Sequence, residues 1–452
     1  MATPPQSQHR VQPTSAPSPL NPGVRRREVL GWAMYDFANS GYTTVVITAV
    51  FSAYFVGGVA QGANWATLAW TVALSLSYAL VMLTMPVMGA WGDRHGAKKR
   101  LLAVTTSGCM LSTLALGWVG PGDVVLGMVL IVVSNTFYTY GESLIAAFLP
   151  ELATGPGMGR VSGWGWALGY VGGMLCLGLC LAYVLQAQAQ GEPASAFVPV
   201  TMVLTALFYG AASLCTFAWL TERAVPQASS VAAGEASRLR QWQRLRQSLL
   251  ALQDYPELAR LLACIVAYQA GVAVAITLAA IYAEQVMGFQ AQETMLLIFA
   301  LNIAATVGAF TLGHAQDRWG HQRTLAVTLV GWVVTCAIVA LAHSKAVFWG
   351  AAVLAGLCLG SSQSAGRAMA GLLIPPAKTA EFFGLWSFAV RAASIVGPLL
   401  YGLITWGTAG NQRLAIGATG GLFVLGLWWL WPLDMDKGRE RVLATSPAHT
   451  ER

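Results

Sequence analysis

Long apolar runs, separated by short polar breaks, fill this chain from about residue 31 to residue 432. They fall at about 31–57, 65–88, 101–120, 124–149, 161–186 and 198–220, and again at about 259–284, 293–313, 323–342, 346–372, 381–405 and 413–432. Each is long enough for the roughly 20 residues a helix needs to cross the hydrocarbon of a bilayer. Lipid offers nothing to an unpaired backbone N–H or C=O, so a spanning segment closes its bonds within a helix or around a barrel. The alternation of barrel strands is absent. The pattern predicts an all-α polytopic membrane protein with twelve transmembrane helices. It divides into a polar tail at 1–28, six helices within 29–220, a linker at 221–257, six helices within 258–432 and a charged tail at 433–452.

Composition agrees. Hydrophobic residues make up 56% of the 452 and charged residues 10%, against about 25% charged in a soluble domain. So little charge cannot cover a soluble surface of this size, and lipid covers it instead. The 17 Trp and 48 Gly suit membrane interfaces and close helix crossings. The net charge of +7 is spread among loops rather than gathered on one soluble face, so nucleic acid is not an expected partner. Nearly all Lys and Arg lie in the tails and in the loops after predicted helices 2, 4, 6, 8 and 10. The loops after odd-numbered helices hold only Lys345 and Arg413. By the positive-inside rule both termini face the cytoplasm, here of a cell inner membrane. The seven Cys lie in apolar segments without zinc spacing and read as packing residues. With no G-x-x-x-x-G-K-[ST] nucleotide loop and no H-E-x-x-H, the chain is not read as an enzyme and calls for no cofactor.

Residues 1–28 are rich in Pro, Ser and Gln and read as a disordered tail ending in Arg25-Arg26-Arg27. The linker mixes Arg238, Arg240, Arg244 and Arg246 with Trp242, Leu245, Leu249 and Leu250. That fits either an amphipathic helix on anionic lipid or a solvated connection.

One polar loop occurs twice, as G-x-x-x-D-R-x-G followed by basic residues. The first copy holds Gly89, Asp93, Arg94, Gly96 and Arg100; the second holds Gly313, Asp317, Arg318, Gly320 and Arg323. Their opening glycines are 224 residues apart, close to half the chain, so the protein is built twice. Each aspartate lies just before a new helix, whose dipole favours it by about 0.3–1 kcal/mol. The loops read as two latches on one side of the membrane. The alternative is charge that solvates a turn and sets topology.

The loop between helices 2 and 3, with its copy between helices 8 and 9, resembles the signature of the major facilitator superfamily. Further elements narrow the resemblance. They are Tyr35-Asp36-Phe37-Ala38-Asn39-Ser40, Phe148-Leu149-Pro150-Glu151, the glycine-rich 161–173, Gln363 to Arg367, Glu381-Phe382-Phe383-Gly384 and Gly397-Pro398. Together they resemble the branch known as the unknown major facilitator family, which is similar to the autophagy-related vacuolar amino-acid effluxers of fungi. The resemblance implies two six-helix bundles, a central cavity and alternating access by rocking of the bundles. Glu142 departs from the family pattern, which has a milder residue there.

A charge inside a span costs about 2.5–3.5 kcal/mol on insertion scales, so each needs a reason. Asp36 and Glu142 lie in predicted helices 1 and 4, Arg367 and Arg391 in helices 10 and 11. In one reading a carboxylate binds a proton or a substrate amine and an arginine binds a substrate carboxylate. In the other the four make salt bridges or latches, which fits Asp36 and Arg367 best; Arg391, the deepest, fits the cavity. Asn39 and Thr43 share a helix face with Asp36, and Asn135 and Tyr138 share one with Glu142. Gln269, Asn302 and Gln363 complete the cavity candidates, although a lone amide commonly bonds a neighbouring helix. Gly165, Gly169 and Gly173 recur every four residues as a packing ridge. The whole reads as a monomeric secondary transporter of a small organic solute. The resemblance points to amino-acid or peptide efflux, and proton coupling rests on Asp36 and Glu142. The competing reading is a lipid flippase, or a non-transporting sensor or scaffold on the same fold.

Overall fold

The computed structural model describes residues 18–63, 65–223, 250–289 and 291–444. The arginines expected on an amphipathic linker helix lie outside the described residues. Among the described residues, twelve long helices follow one another. They are α1 (Arg26–Tyr42, extended by π-helical turns at Thr43–Ala49 and Phe55–Val59), α2 (Ala66–His95), α3 (Lys98–Leu116), α4 (Val124–Ala146), α5 (Met158–Ala189) and α6 (Ala194–Trp219), then α7 (Pro256–Gln285), α8 (Ala291–Trp319), α9 (His321–Leu341), α10 (Lys345–Leu373), α11 (Thr379–Gly407) and α12 (Gln412–Leu430). Among the described residues, eleven stretches are long and apolar enough to cross a membrane. α3 is the exception, because Lys98, Lys99 and Arg100 open a helix of only 19 residues. All seven cysteines are free thiols.

The first six helices pack as α1–α5, α1–α6, α2–α4, α3–α4 and α3–α6. The same pairings recur, shifted by six, as α7–α11, α7–α12, α8–α10, α9–α10 and α9–α12. The duplication seen in the loops is therefore a duplication of packing. The two sets meet mainly along α2–α11 and α5–α8, which are themselves matched pairs. Both seams depend on glycine. A Cβ on Gly89 of α2 would lie 2.2 Å from the carbonyl oxygen of Ala380, and one on Gly313 of α8 would lie 2.9 Å from that of Gly159. The repeated motif opens on glycine because backbone passes there where a side chain would stand.

The motif's later glycines have a different use. Gly96 and Gly320 take positive φ, 57° and 93°, to turn the chain from α2 into α3 and from α8 into α9. The end of the molecule carrying these two turns is called here the D-R end.

Residues 1–17 of the expected disordered tail lie outside the described residues, and residues 18–28 and 433–444 carry structure. Pro19 to Asn21 run beside the α4–α5 connection, with Asn21 N donating to Leu152 O at 3.0 Å and Thr154 N to Pro19 O at 3.0 Å. α1 begins at Arg26, inside the expected tail, because Glu28 Oε1 accepts from Arg25 N (3.1 Å) while its other oxygen pairs with Arg223 (2.8 Å). The C-terminal tail forms α13 (Met435–Ala444), held under α7 where Asp434 N donates to Glu257 at 3.0 Å.

Candidate functional site

At the D-R end each motif aspartate reaches into the other set of helices. The Asp93 carboxylate accepts from Thr379 Oγ1 (3.2 Å), Ala380 N (3.1 Å) and Glu381 N (2.9 Å), which are the first residues of α11. Asp317 accepts from Gly159 N (3.0 Å), Arg160 N (3.3 Å) and Arg160 Nε (2.7 Å) at the start of α5. The expectation that each aspartate serves the helix following it is corrected. The backbone amides of Lys98 and Lys99, at the start of α3, are capped by Glu222 at 2.7 and 3.0 Å. The physics is the one anticipated, a carboxylate on a helix's orphan amides, but the helix is 287 residues away for Asp93 and 158 for Asp317.

Arg94, Arg100, Arg318 and Arg323 of the motif are exposed. The buried cation is one the sequence reading missed. Lys98 pairs with Glu151, donates to Thr379 Oγ1 at 3.0 Å and lies over the Phe148 ring. A cation at the very start of a helix opposes the dipole, and that was the available signal that it needed a carboxylate. Arg94→Gln and Arg318→Gln are accordingly expected to change unfolding stability by less than about 0.5 kcal/mol, measured as the unfolding transition in detergent.

Further from the D-R end, the four intramembrane charges pair across the two sets. Arg367 Nη1 donates to Asp36 Oδ2 at 2.6 Å. Its Nε donates to Ser162 Oγ (3.2 Å) and its Nη2 to Ser162 O (2.9 Å). The guanidinium lies 4.7 Å from the Trp32 ring and 5.2 Å from the Trp166 ring. Burying two charges costs several kcal/mol per ion, recovered only when the geometry is good and the remaining donors are met. Here three bonds and two indole faces meet them. Gly165 makes room, since a Cβ on it would stand 2.5 Å from Asp36 Oδ2. The glycine ridge of α5 thus packs on α1 as expected. Arg391 of α11 donates through Nη2 to Glu142 of α4 and lies 5.3 Å from the Tyr78 ring.

The remaining candidates divide. Gln269 Nε2 donates to Gln363 Oε1 at 2.6 Å, linking α7 to α10 one turn from Arg367. Tyr138 stacks on Tyr42 with centroids 5.1 Å apart, one turn from Glu142. Asn39 accepts from Tyr209 (3.3 Å) and Asn135 donates to Ser77 (2.6 Å), so both tie neighbours within the first six helices. Thr43 bonds Ser40 O (3.0 Å) and Asn302 bonds Ile298 O (2.9 Å), each on its own helix. The structure therefore forms two pairs, Asp36 with Arg367 and Glu142 with Arg391, with the Gln269–Gln363 bond one turn from the first and Tyr138 one turn from the second. Ser162, Trp32 and Trp166, which sequence reasoning missed, complete the surroundings of Arg367.

Residues 67–158 and 157–443 match the family described as vacuole effluxer Atg22 like. The chain belongs to this family. The Atg22-like chain is 27% identical over 403 residues to an uncharacterized MFS-type transporter, YxiO, of Bacillus subtilis, covering 88% of this chain and 92% of that one. It is 22% identical over 308 residues to autophagy-related protein 22-1 of Aspergillus fumigatus, covering 63% of this chain and 49% of that protein. Among solved structures, the human organic anion transporter MFSD10 superposes with a TM-score of 0.70 at 14% identity, covering 90% of this chain and 99% of that one. The fold is that of the major facilitator superfamily, and the Atg22-like chain is a membrane transporter, not an enzyme.

Proposed function

We propose that this chain moves a small organic solute by alternating access, rocking residues 29–220 against 258–432 about the central charge pairs. The observation that carries this is the sharing of contacts. All four intramembrane charges, and both motif aspartates, find partners in the opposite set of helices. Contacts of this kind exist only in one relative placement of the two sets, and opening the D-R end would break them. The Lys and Arg distribution supports placing that end in the cytoplasm. A bacterial inner membrane, a monomeric state and amino-acid or peptide efflux are part of the same proposal; the family description, vacuole effluxer Atg22 like, supports efflux.

Proton coupling follows from the same pairs. Protonating Asp36 or Glu142 removes the charge that holds Arg367 or Arg391, so a proton taken up on one side loosens the seal and one released on the other restores it. The test is flux in proteoliposomes loaded with amino acids and short peptides identified by comparing metabolites of cells with and without the protein. Efflux that rises at least about tenfold with an imposed pH gradient supports the coupled reading. Flux indifferent to the gradient would make the protein a uniporter. Vesicles as tight as protein-free ones would leave the sensor or scaffold reading in possession.

A further inference from the structure

Three observations meet where α11 crosses α2. The first is a stripe. Gly384, Ser387 and Arg391 are spaced i, i+3, i+7 and share one face of α11. At one end of the stripe a Cβ on Gly384 would sit 2.8 Å from Pro86 Cα of α2. At the other, the Arg391 guanidinium lies over Tyr78 of α2. Ser387 lies between them on the α2-facing side.

The second is a pair of donors without acceptors. Ser387 Oγ and Arg391 Nε are both buried and have no hydrogen-bond partner; the residues are 1% and 9% exposed. A buried donor left unmade costs about 1–3 kcal/mol, and more when charged. The third is the manner in which Glu142 holds Arg391. A guanidinium binds a carboxylate best with two parallel N–H bonds, yet Glu142 accepts from Nη2 and leaves Nε unused. Glu142 reaches across from α4, in the opposite set of helices.

We propose that this stripe is the subsite for a carboxylate of the transported solute, and that Glu142 is a tethered stand-in which that carboxylate displaces. Arg391 Nε and Ser387 Oγ are the donors kept for the incoming group. Loading the solute then releases the α4–α11 tie, and unloading returns Glu142 to Arg391, so occupancy itself decides whether the two sets of helices are joined there. The inference deepens the transport reading and rests on it for the solute, but not for the binding.

The test uses the full-length protein in detergent and reads thermal unfolding against ligand concentration. The probes are acetate, benzoate and L-leucine, with their amides acetamide, benzamide and L-leucinamide. Glu142→Gln removes the stand-in. This variant is expected to bind at least one carboxylate probe about tenfold or more tighter than wild type, while the amides do nothing. Ser387→Ala in the Glu142→Gln background should weaken that binding severalfold. The double variant Glu142→Gln/Arg391→Gln, which leaves no unpaired interior charge, should fold and ignore every probe. Carboxylates and amides that act alike on Glu142→Gln, or carboxylate binding that survives loss of Arg391, would overturn the subsite. Binding without flux in proteoliposomes would keep the subsite and remove the transport reading. Flux of neutral or cationic solutes without carboxylate binding would do the reverse.

Discussion

Replacing Arg367 by Ala should lower the unfolding free energy by about 3–5 kcal/mol, the usual result of removing one partner from a buried ion pair. The size follows from what remains. Asp36 is 8% exposed, and its carboxylate is paired with Arg367. Without the guanidinium its charge sits in a low-dielectric interior, and the space between Trp32 and Trp166 is left unfilled. Ser162 loses two donors as well. Asp36→Asn combined with Arg367→Gln should recover most of the loss, because it removes both charges and keeps polar contacts. Unfolding in detergent checks this. An Arg367→Ala protein as stable as wild type would mean that the pair holds nothing together.

The second large effect is expected at the D-R end. Asp93→Asn and Asp317→Asn keep the shape and remove the charge. An amide has one accepting oxygen, and its NH2 group would point at other donors. Bonds to an ionised acceptor contribute about 1.5–3 kcal/mol each, but water replaces part of this once the end opens. A net bias of about 1–3 kcal/mol corresponds to a shift of about 5–150-fold in the ratio of closed to open forms. The two carboxylates share no hydrogen-bond partner, so the double variant should shift by roughly the product. Spin labels at Arg94 and Lys378, both exposed, would show this as a longer distance population. A distribution unchanged in the double variant would mean that these carboxylates do not hold the end shut.

The twelve helices were legible because lipid imposes a minimum run length and forbids unpaired backbone. The duplication was legible because the motif recurs at half-length. The destination of Asp93 was not. Its partners lie 287 residues away, and a chain read locally offers α3 as the nearest helix start. Lys98 was hidden among Lys99 and Arg100, where three adjacent cations read as a topology signal although Lys98 is buried, Lys99 half-buried and Arg100 exposed. Of the intramembrane charges, sequence identified the members but not the matches. Depth in the span set Arg391 apart from Arg367, but the choice of Asp36 for one and Glu142 for the other comes from the α1–α5–α10 and α2–α4–α11 packing. The order of residues 18–28 was hidden for a related reason. Pro19 to Asn21 are ordered by the α4–α5 connection, which is distant in sequence.

The crossed capping has a consequence for synthesis on the ribosome. The amides that open α5 are made before the Asp317 that satisfies them, which follows Gly159 by 158 residues. At about 5–20 residues per second, that is a wait of roughly 8–30 s, during which water must serve those amides. Asp93 waits longer still, for a helix whose first turn is among the later parts translated. Neither repeat can therefore finish its own helix ends while it is the only one in the bilayer.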